Sequence, residues 1–225
     1  MFVTADGGLT AAGYAVFIIA AAAIFLIASF LIGRKREKAA SPKKLAFCAM
    51  CLALAMVASY IRLFKMPWGG SITLCSMLFI ILAAYWYGPA TGILVGLVYG
   101  ILQFLQEPYF LTFLQVCLDY LFAFGALGIA GFFAGKKNGL QKGYIFGVLG
   151  RGVFASLAGY VYWMEYMPEN FPKSLSAIYP IAYNFAYLVV EAAITLIIIS
   201  IPAVKSALAR VRKYAMEETP SSARM

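Results

Sequence analysis

The chain has 225 residues, of which 64% are hydrophobic and only 12% are charged. Ordinary soluble domains are about 45–50% apolar and about 25% charged, so this composition excludes a soluble globular domain, and it is too apolar for a disordered chain. The formal net charge is +9 and there is no histidine. The absence of histidine removes the commonest general base and the imidazole ligands of zinc and haem. We therefore expect no enzyme activity, no cofactor and no metal.

Long apolar segments follow one another along most of the chain. A helix of about 17–25 mostly apolar residues can cross a bilayer. The stretches that meet this test are 11–33, 45–63, 71–87, 89–106, 109–134, 143–165 and 175–203. The first is too long for a cleaved signal segment and has no basic residue before it, so we expect it to be a retained helix. The sequence thus predicts an all-α integral membrane protein.

The basic residues indicate how these spans are oriented. They concentrate in the loops 34–44 and 135–142 and in the tail after 205, which fall on one side of the membrane when the chain crosses it seven times. Because lysine and arginine favour the cytoplasmic side, we expect the N-terminus outside and the C-terminus in the cytoplasm. The excess of positive charge is then a topology signal and a contact for the lipid bilayer, and no nucleic-acid partner is expected.

Small residues are spaced as they are at helix contacts in membranes. Gly88, Gly92, Gly96 and Gly100 form a ridge along one helix face, and the span 109–134 ends with further glycines. We expect this ridge to pack within the monomer. The span 45–63 carries Ala49 and Ala53 one turn apart, and this alanine face is compatible either with internal packing or with a docking surface.

Three ionisable residues lie inside predicted spans, where a charge costs about 2.5–3.5 kcal/mol at the helix centre. Arg151 is near a span end and is expected to extend to the interface or to pair with Glu191. Asp119 is too short to reach the interface. It either pairs with a buried partner or faces a polar cavity.

Aromatic and amide side chains are predicted at the same depth as Asp119. They are Trp68, Trp163, Tyr179, Tyr183 and Asn184. Interfacial aromatic belts explain tyrosine and tryptophan at headgroup level in many membrane proteins. An acid, an amide and several aromatic rings from four segments would also form a site for a flat, cationic or amine-bearing ring, which aromatic faces attract and a carboxylate pairs with.

Several motifs, in order, resemble the thiamine-specific S-component family (ThiT/YuaJ) of energy-coupling factor (ECF) transporters. They are WGGSITL at 68–74, YGPATG at 87–92, GILQF at 100–104, LDYLFAF at 118–124, the segment from Arg151 through GYVYW at 159–163, and Tyr179 with Tyr183-Asn184. The resemblance covers residues 43 to 203. It implies a six-helix S-component core at 41–205, preceded by an extra transmembrane helix and basic loop at 1–40 and followed by a basic cytoplasmic tail at 206–225.

The resemblance also implies roles for individual residues. The substrate-binding set that it implies is Trp68, Asp119, Tyr120, Trp163, Tyr179 and Asn184. Asp119 stands where the family has Glu, and Ala155 stands where the family often has His, so the expected ligand is thiamine or a related pyrimidine or thiazole compound. Ala49 and Ala53 correspond to the surface that docks the transmembrane scaffold protein.

The function implied is a substrate-binding subunit in a prokaryotic cell membrane, which takes up a vitamin from outside with a scaffold protein and two ATPase subunits. The chain itself has no GxxxxGK[ST] phosphate-binding loop. The alternative is a stand-alone secondary transporter or channel for a small organic solute. That function would need coupling-ion residues and usually an internal repeat, of which the sequence gives no convincing sign.

Overall fold

The computed structural model describes residues 41–67, 69–169 and 171–217, together with the isolated positions Thr10, Ala12 and Ala15. All but two positions of the predicted helix 11–33 lie outside the described residues, and so does Trp68. The predictions made for these parts of the chain stay predictions.

Seven helices and one β-hairpin make up the regular structure of the described residues. The helices are α1 (Pro42–Tyr60), α2 (Ser76–Tyr87), α3 (Pro89–Gln106), α4 (Phe113–Phe133), α5 (Gly139–Tyr162), α6 (Tyr179–Ser200) and α7 (Pro202–Met216). The antiparallel strands β1 (Arg62–Lys65) and β2 (Ser71–Thr73) lie between α1 and α2. Short 3-10 turns at Met164–Tyr166 and Lys173–Ile178 connect α5 to α6.

Five helical segments are long and apolar enough to cross a membrane: α1, α3, α4, α5 and the segment Lys173–Ser200 that contains α6. This confirms the prediction of a helical multi-pass membrane protein. The predicted span 71–87 is wrong in its first part, where β2 and a turn precede α2, a helix of only 12 residues. Nearly all of α2 is buried, with Met77, Ile80 and Ile81 fully inaccessible. Its surroundings are therefore protein rather than lipid, and hydropathy alone cannot separate the two.

Local sequence signals explain where the helices begin. The Ser41 side chain accepts a hydrogen bond from the Lys44 backbone N–H, and Pro42 occupies the first turn of α1. The Thr112 side chain caps α4 in the same way through Gln115 N–H. Between α2 and α3, Gly88 has φ +91°, a conformation that favours glycine, and Pro89 follows at the start of α3.

The glycine ridge of α3 packs against α4, as predicted. A Cβ on Gly96 would overlap the Phe124 carbonyl oxygen, and one on Gly100 would overlap the Tyr120 carbonyl oxygen. On the opposing helix, a Cβ on Gly128 would overlap the Ile93 backbone. The two backbones approach so closely that only glycine fits at these positions, which is the typical use of small residues between membrane helices.

Helix α4 is irregular along most of its length. It begins with an α-helical turn, widens to a π-helical turn at Cys117–Phe122 and narrows to a 3-10 helix at Ala126–Phe133. Wide π turns are often found at functional sites. The π turn of α4 contains Asp119, so the helix deviates from regular geometry where the sequence places its buried acid.

Helix α7 continues the chain after α6 with the single residue Ile201 between them. It packs on the ends of α1 and α2: the Tyr87 hydroxyl donates to Ala215 O at 3.2 Å, and Lys43 Nζ donates to Glu217 O at 3.0 Å. The predicted division between core and tail at 205/206 falls within this helix. The sequence predicts a basic cytoplasmic tail here and not a helix, because the basic residues indicate topology and lipid contact without indicating secondary structure.

Candidate functional site

Asp119 is held by two side-chain hydrogen bonds. Its Oδ2 accepts from Gln115 Nε2 at 2.7 Å and from Trp163 Nε1 at 3.2 Å. Gln115 is fully buried and is oriented in turn by a hydrogen bond from Leu111 N–H to its Oε1. The second carboxylate oxygen, Oδ1, accepts no hydrogen bond from the described residues. Asp119 thus has neutral partners rather than a base, and it keeps one oxygen available for a positively charged or N–H-bearing ligand.

Trp163, which donates to Asp119, belongs to a group of three aromatic rings between the start of α4 and the end of α5. The Trp163 ring lies 4.8 Å from that of Tyr109 and 5.5 Å from that of Tyr166, measured between centroids. The Tyr109 and Tyr166 hydroxyls are hydrogen-bonded to each other at 3.0 Å. We call Tyr109, Trp163 and Tyr166 the aromatic cluster. It offers π faces beside a carboxylate, which is the chemistry that binds a flat cationic ring.

The start of α6 carries a second polar set beside the hairpin. Asn184 donates to Pro180 O at 2.9 Å and to Ala155 O at 3.3 Å, and its Oδ1 accepts from the Tyr187 hydroxyl at 2.9 Å. The Tyr183 hydroxyl donates to Gly69 O at 3.0 Å, in the loop that joins β1 to β2. The hairpin loop that contains Trp68 is therefore attached to the same end of α6.

Tyr179 connects the two sets. Its hydroxyl donates to Tyr166 O at 3.4 Å, and its ring lies 5.9 Å from that of Tyr183. Asp119, Trp163 and Tyr179 therefore lie in one chain of contacts at the hairpin end of the bundle, which ends at Tyr183, the residue before Asn184 in α6. Among the predicted site residues, the structure brings Asp119 and Trp163 into direct hydrogen-bond contact.

Tyr120 lies away from this chain of contacts. Its hydroxyl donates to Glu107 O at 3.0 Å, and its ring packs edge-on against Phe104 of α3 at 5.1 Å. Consecutive helical residues point in different directions, so the Asp119-Tyr120 pair contacts two different neighbours. The phenolic oxygen of Tyr120 retains its acceptor capacity for a ligand.

Glu107 carries the ion pairs of this end of the molecule. It contacts Arg62 of β1, and Lys65 Nζ lies 3.1 Å from Oε1. Partial burial alone would raise the pKa of Glu107, but the hydrogen bonds and charges of Arg62 and Lys65 outweigh it and hold that pKa below its ordinary value. The hairpin is thus connected to the end of α3 on one side and to α6 on the other.

Glu191 is held by hydrogen bonds that connect neighbouring elements of the fold. Its Oε2 accepts from Thr73 N–H and from the Thr73 hydroxyl, both at 2.9 Å, and Oε1 accepts from the Ser76 hydroxyl at 3.4 Å. The carboxylate joins the end of β2 and the start of α2 to α6. The expected salt bridge to Arg151 is absent: among the described residues, both ion pairs involve Glu107. The Arg151 guanidinium instead lies 4.2 Å from the centroid of the Phe124 ring.

Ala49 and Ala53 lie on an exposed face of α1, together with Leu45, Met50 and Val57. Packing within the described part of the chain therefore does not use this face. The small side chains leave a shallow surface along one side of the helix, bordered by larger apolar residues.

Comparison with known proteins identifies the family. The sequence pattern of the family described as Thiamine transporter protein (Thia_YuaJ) matches residues 45–210, which is most of the chain. The chain belongs to this family. The family resemblance expected from the sequence motifs is thereby confirmed, and the match runs from the first turn of α1 into α7.

Two relatives show how similar this chain is to known proteins in sequence and in fold. The thiamine transporter ThiT of Bacillus subtilis (strain 168) is 31% identical over 144 residues, covering 56% of this chain and 70% of the relative. A solved structure of ThiT from Listeria monocytogenes superposes with a TM-score of 0.58 at 23% identity, covering 71% of this chain and 94% of that one. The similarity to the solved structure shows a shared fold. The family and the Bacillus subtilis relative are named as transporters, which agrees with the expectation that the chain is not an enzyme.

The sequence analysis did not identify several residues that the structure places in the candidate site of this protein. Gln115 lies four residues before Asp119, hence on the same helix face, and this spacing could have identified it. Tyr109 and Tyr166 fall in connecting segments, where nothing in the sequence links them. Tyr187 was missed although it lies three residues after Asn184, again on one face of a helix.

Proposed function

We propose that this protein is the substrate-binding S-component of an ECF-type importer, and that it binds thiamine or a related pyrimidine or thiazole compound from outside the cell. The observation that carries the proposal is the contact between Asp119, Gln115 and Trp163 within the aromatic cluster. A carboxylate with one available oxygen beside three π faces suits a ligand that combines a cationic ring with an aminated ring. Family membership supports thiamine itself.

Binding would take place with Asp119 as the anionic partner, Trp163 as the stacking partner, and Tyr120, Tyr179 and Asn184 as polar partners. Trp68 belongs to the same proposed set through its place in the hairpin loop, since that loop contacts α6 at Gly69 and Gly70. The shorter Asp119, in place of the Glu expected for the family, is held toward Trp163 by Gln115. Ala155 contributes its carbonyl to Asn184 rather than a side-chain donor.

Uptake would require partners, because the chain carries no phosphate-binding loop of its own. The exposed alanine face of α1, with Ala49 and Ala53, is the proposed contact with the transmembrane scaffold, and two ATPase subunits would supply the energy. Small residues let helix backbones approach closely in a bilayer, so this face suits a helical partner. The C-terminus is proposed to be cytoplasmic, because lysine and arginine concentrate in the loops 34–44 and 135–142 and in the C-terminal segment.

Two measurements test the proposed function. Calorimetry on the purified full chain should show binding of thiamine, with weaker binding of the separate pyrimidine and thiazole fragments because each makes only part of the contacts. Proteoliposomes should accumulate thiamine only when the chain is reconstituted with the scaffold and ATPase subunits and supplied with ATP. Uptake by the chain alone would favour the secondary transporter, and binding of neither thiamine nor its fragments would contradict the proposed ligand class.

A further inference from the structure

The C-terminal helix α7 follows the last membrane-spanning helix with one residue between them. It begins at Pro202, directly after the membrane-spanning α6 ends at Ser200, so it starts where the chain leaves the bilayer. Its far end is held back onto the bundle by the Tyr87–Ala215 and Lys43–Glu217 hydrogen bonds, and Lys43 Nζ also lies 4.3 Å from the Tyr214 ring centroid. Helix α7 is thus anchored at its start by the connection to α6 and at its far end by contacts with α1 and α2.

The side chains of α7 divide into three sectors around its axis. One sector faces the bundle through Val204, Leu208, Arg212 and the buried Ala215, with Arg212 stacked 4.9 Å from the Tyr85 ring. The sector beside it is apolar and exposed, with Val211 38% and Tyr214 64% accessible. The third sector is basic and exposed, and it carries Lys205, Arg210 and Lys213.

The three basic side chains have no counterion among the described residues. Both ion pairs of the described residues involve Glu107, which is beside the hairpin. Close to α7, the charged groups of Arg212 and Lys43 make cation–π contacts with aromatic rings, and Lys44 Nζ lies 5.7 Å from the Tyr87 ring centroid. The basic sector is therefore a surface of uncompensated positive charge beside exposed apolar side chains.

We propose that α7 is an interfacial helix that binds the headgroups of anionic phospholipids. An amphipathic helix in the interface plane combines an apolar side, which enters the acyl boundary, with a basic side that pairs with anionic lipid. Val211 and Tyr214 supply the first, and Lys205, Arg210 and Lys213 supply the second. The arrangement favours lipid over a soluble protein partner because the helix leaves the membrane span directly. This inference does not depend on which ligand the hairpin end binds.

Native mass spectrometry of the purified full chain tests the proposal, with phosphatidylglycerol and phosphatidylcholine offered together. The wild type should retain phosphatidylglycerol preferentially. The triple variant K205Q/R210Q/K213Q should lose this preference by at least tenfold, since it removes three basic residues that each contribute to the attraction of an anionic surface. The matched control K136Q/K137Q/K142Q removes the same charge from exposed positions at the α4–α5 connection and should keep most of the preference. Size-exclusion profiles and thiamine binding of the variants report whether they fold.

Any of the following results would overturn the proposal. The first is a wild type that retains both lipids equally. The second is a triple variant that behaves like the wild type, or a control that loses as much preference as the triple variant, because bulk charge rather than α7 would then be responsible. The third is an unchanged lipid preference with loss of association to ATPase subunits in the triple variant, which would assign the basic sector to a protein partner.

Discussion

The carboxylate of Asp119 receives both of its hydrogen bonds on one oxygen, from Gln115 and Trp163. A membrane-embedded acid with neutral partners is costly unless a further positive group completes its environment. In the proposed function the cationic ligand is that group. The same reasoning makes Gln115 a positioning residue: it contacts Asp119, and its own orientation is held by the backbone at Leu111.

Asp119→Asn tests the charge at this position. The substitution keeps the size of the side chain and removes its negative charge, so the affinity for thiamine should fall at least tenfold, or about 1.4 kcal/mol. Calorimetry on the purified protein measures the change. Glu165→Gln is the matched control, because it neutralises an exposed carboxylate two residues from Trp163 and should leave the affinity unchanged. Equal affinities of wild type and Asp119→Asn would remove Asp119 from the site.

At the residue scale the sequence was informative about the acid and its tryptophan and less so about their surroundings. Asp119 was predictable because a short acidic side chain inside an apolar span is costly unless it has a buried partner or faces a polar cavity. The sequence predicted Trp163 at the same depth as Asp119, and the structure adds the direct hydrogen bond between them. Gln115 could have been identified from its place on the same helix face as Asp119, whereas the two tyrosines of the aromatic cluster lie in connecting segments, where nothing in the sequence singles them out.

The hairpin is the element that connects the site to the rest of the bundle. Its loop has two glycines with positive φ, Gly69 at +92° and Gly70 at +81°. A Cβ on Gly70 would lie 2.7 Å from the Tyr187 ring, whereas a Cβ on Gly69 would meet nothing within 4 Å. The two positions share backbone strain and differ in their contact with α6, which makes them a matched pair.

Gly70→Ala should therefore disturb the hairpin more than Gly69→Ala. The additional clash is expected to cost about 1–3 kcal/mol. Because Tyr187 holds Asn184 of the proposed site, displacement of its ring should also weaken thiamine binding, by about fivefold for 1 kcal/mol. Fluorescence titration of both variants measures the difference. If the two variants lose affinity equally, the contact between Gly70 and Tyr187 has no part in binding.

The α3–α4 contact gives a second matched pair. Gly96→Ala would place a methyl group on the Phe124 carbonyl oxygen, while Gly125→Ala in α4 would meet only the Leu97 side chain at 3.4 Å. Gly96→Ala should lower the free energy of unfolding by about 1–3 kcal/mol. Gly125→Ala should be neutral or stabilising, since alanine is the better helix former. Thermal unfolding in detergent distinguishes them, and similar melting temperatures would contradict the close packing described for Gly96.

The elements themselves were predictable to different degrees. The bounds of α3 matched the sequence prediction because Gly88-Pro89 marks its start and Glu107-Pro108 marks its end. The hairpin was missed because the segment from β2 into α2 contains no charged residue, glycine or proline that would mark a break. The π turn of α4 packs closely against Gly100 of α3, and a single sequence carries no signal for it.

Over the whole molecule, the acid and the aromatic cluster lie at the hairpin end, and α7 lies at the other. The exposed alanine face runs along α1 between them. Binding of a ligand and docking of a partner should therefore be separable by mutation, because the residues proposed for each share no contacts.

Ala53→Leu tests this separation. Filling the shallow face should reduce ATP-driven thiamine uptake in reconstituted liposomes by about tenfold or more, because a bulky residue prevents close helix approach. The affinity of the isolated chain should stay unchanged. Ala193→Leu, at an exposed position of α6, is the control and should keep both properties. Normal uptake by Ala53→Leu would show that the partner docks elsewhere.

The membrane architecture was the most predictable property at this scale, because apolar length and the asymmetry of basic residues act over whole segments. The short, buried α2 shows where this reasoning fails: a helix that the protein surrounds has the same hydropathy as one that lipid surrounds. The sequence motifs, taken in their order along the chain, indicated the family, and the family match at 45–210 confirms that membership.

Thiamine-dependent tryptophan fluorescence gives the most direct test of the candidate site. Trp163 contacts Asp119, whereas Trp86 is buried in α2 beside Phe47, 6.3 Å away between ring centroids. The wild type and the control Trp86→Phe should show a saturable change in fluorescence on addition of thiamine, and Trp163→Phe should lose most of that change and bind at least tenfold more weakly, or about 1.4 kcal/mol. A Trp163→Phe variant with the affinity and the signal of the wild type would contradict the account.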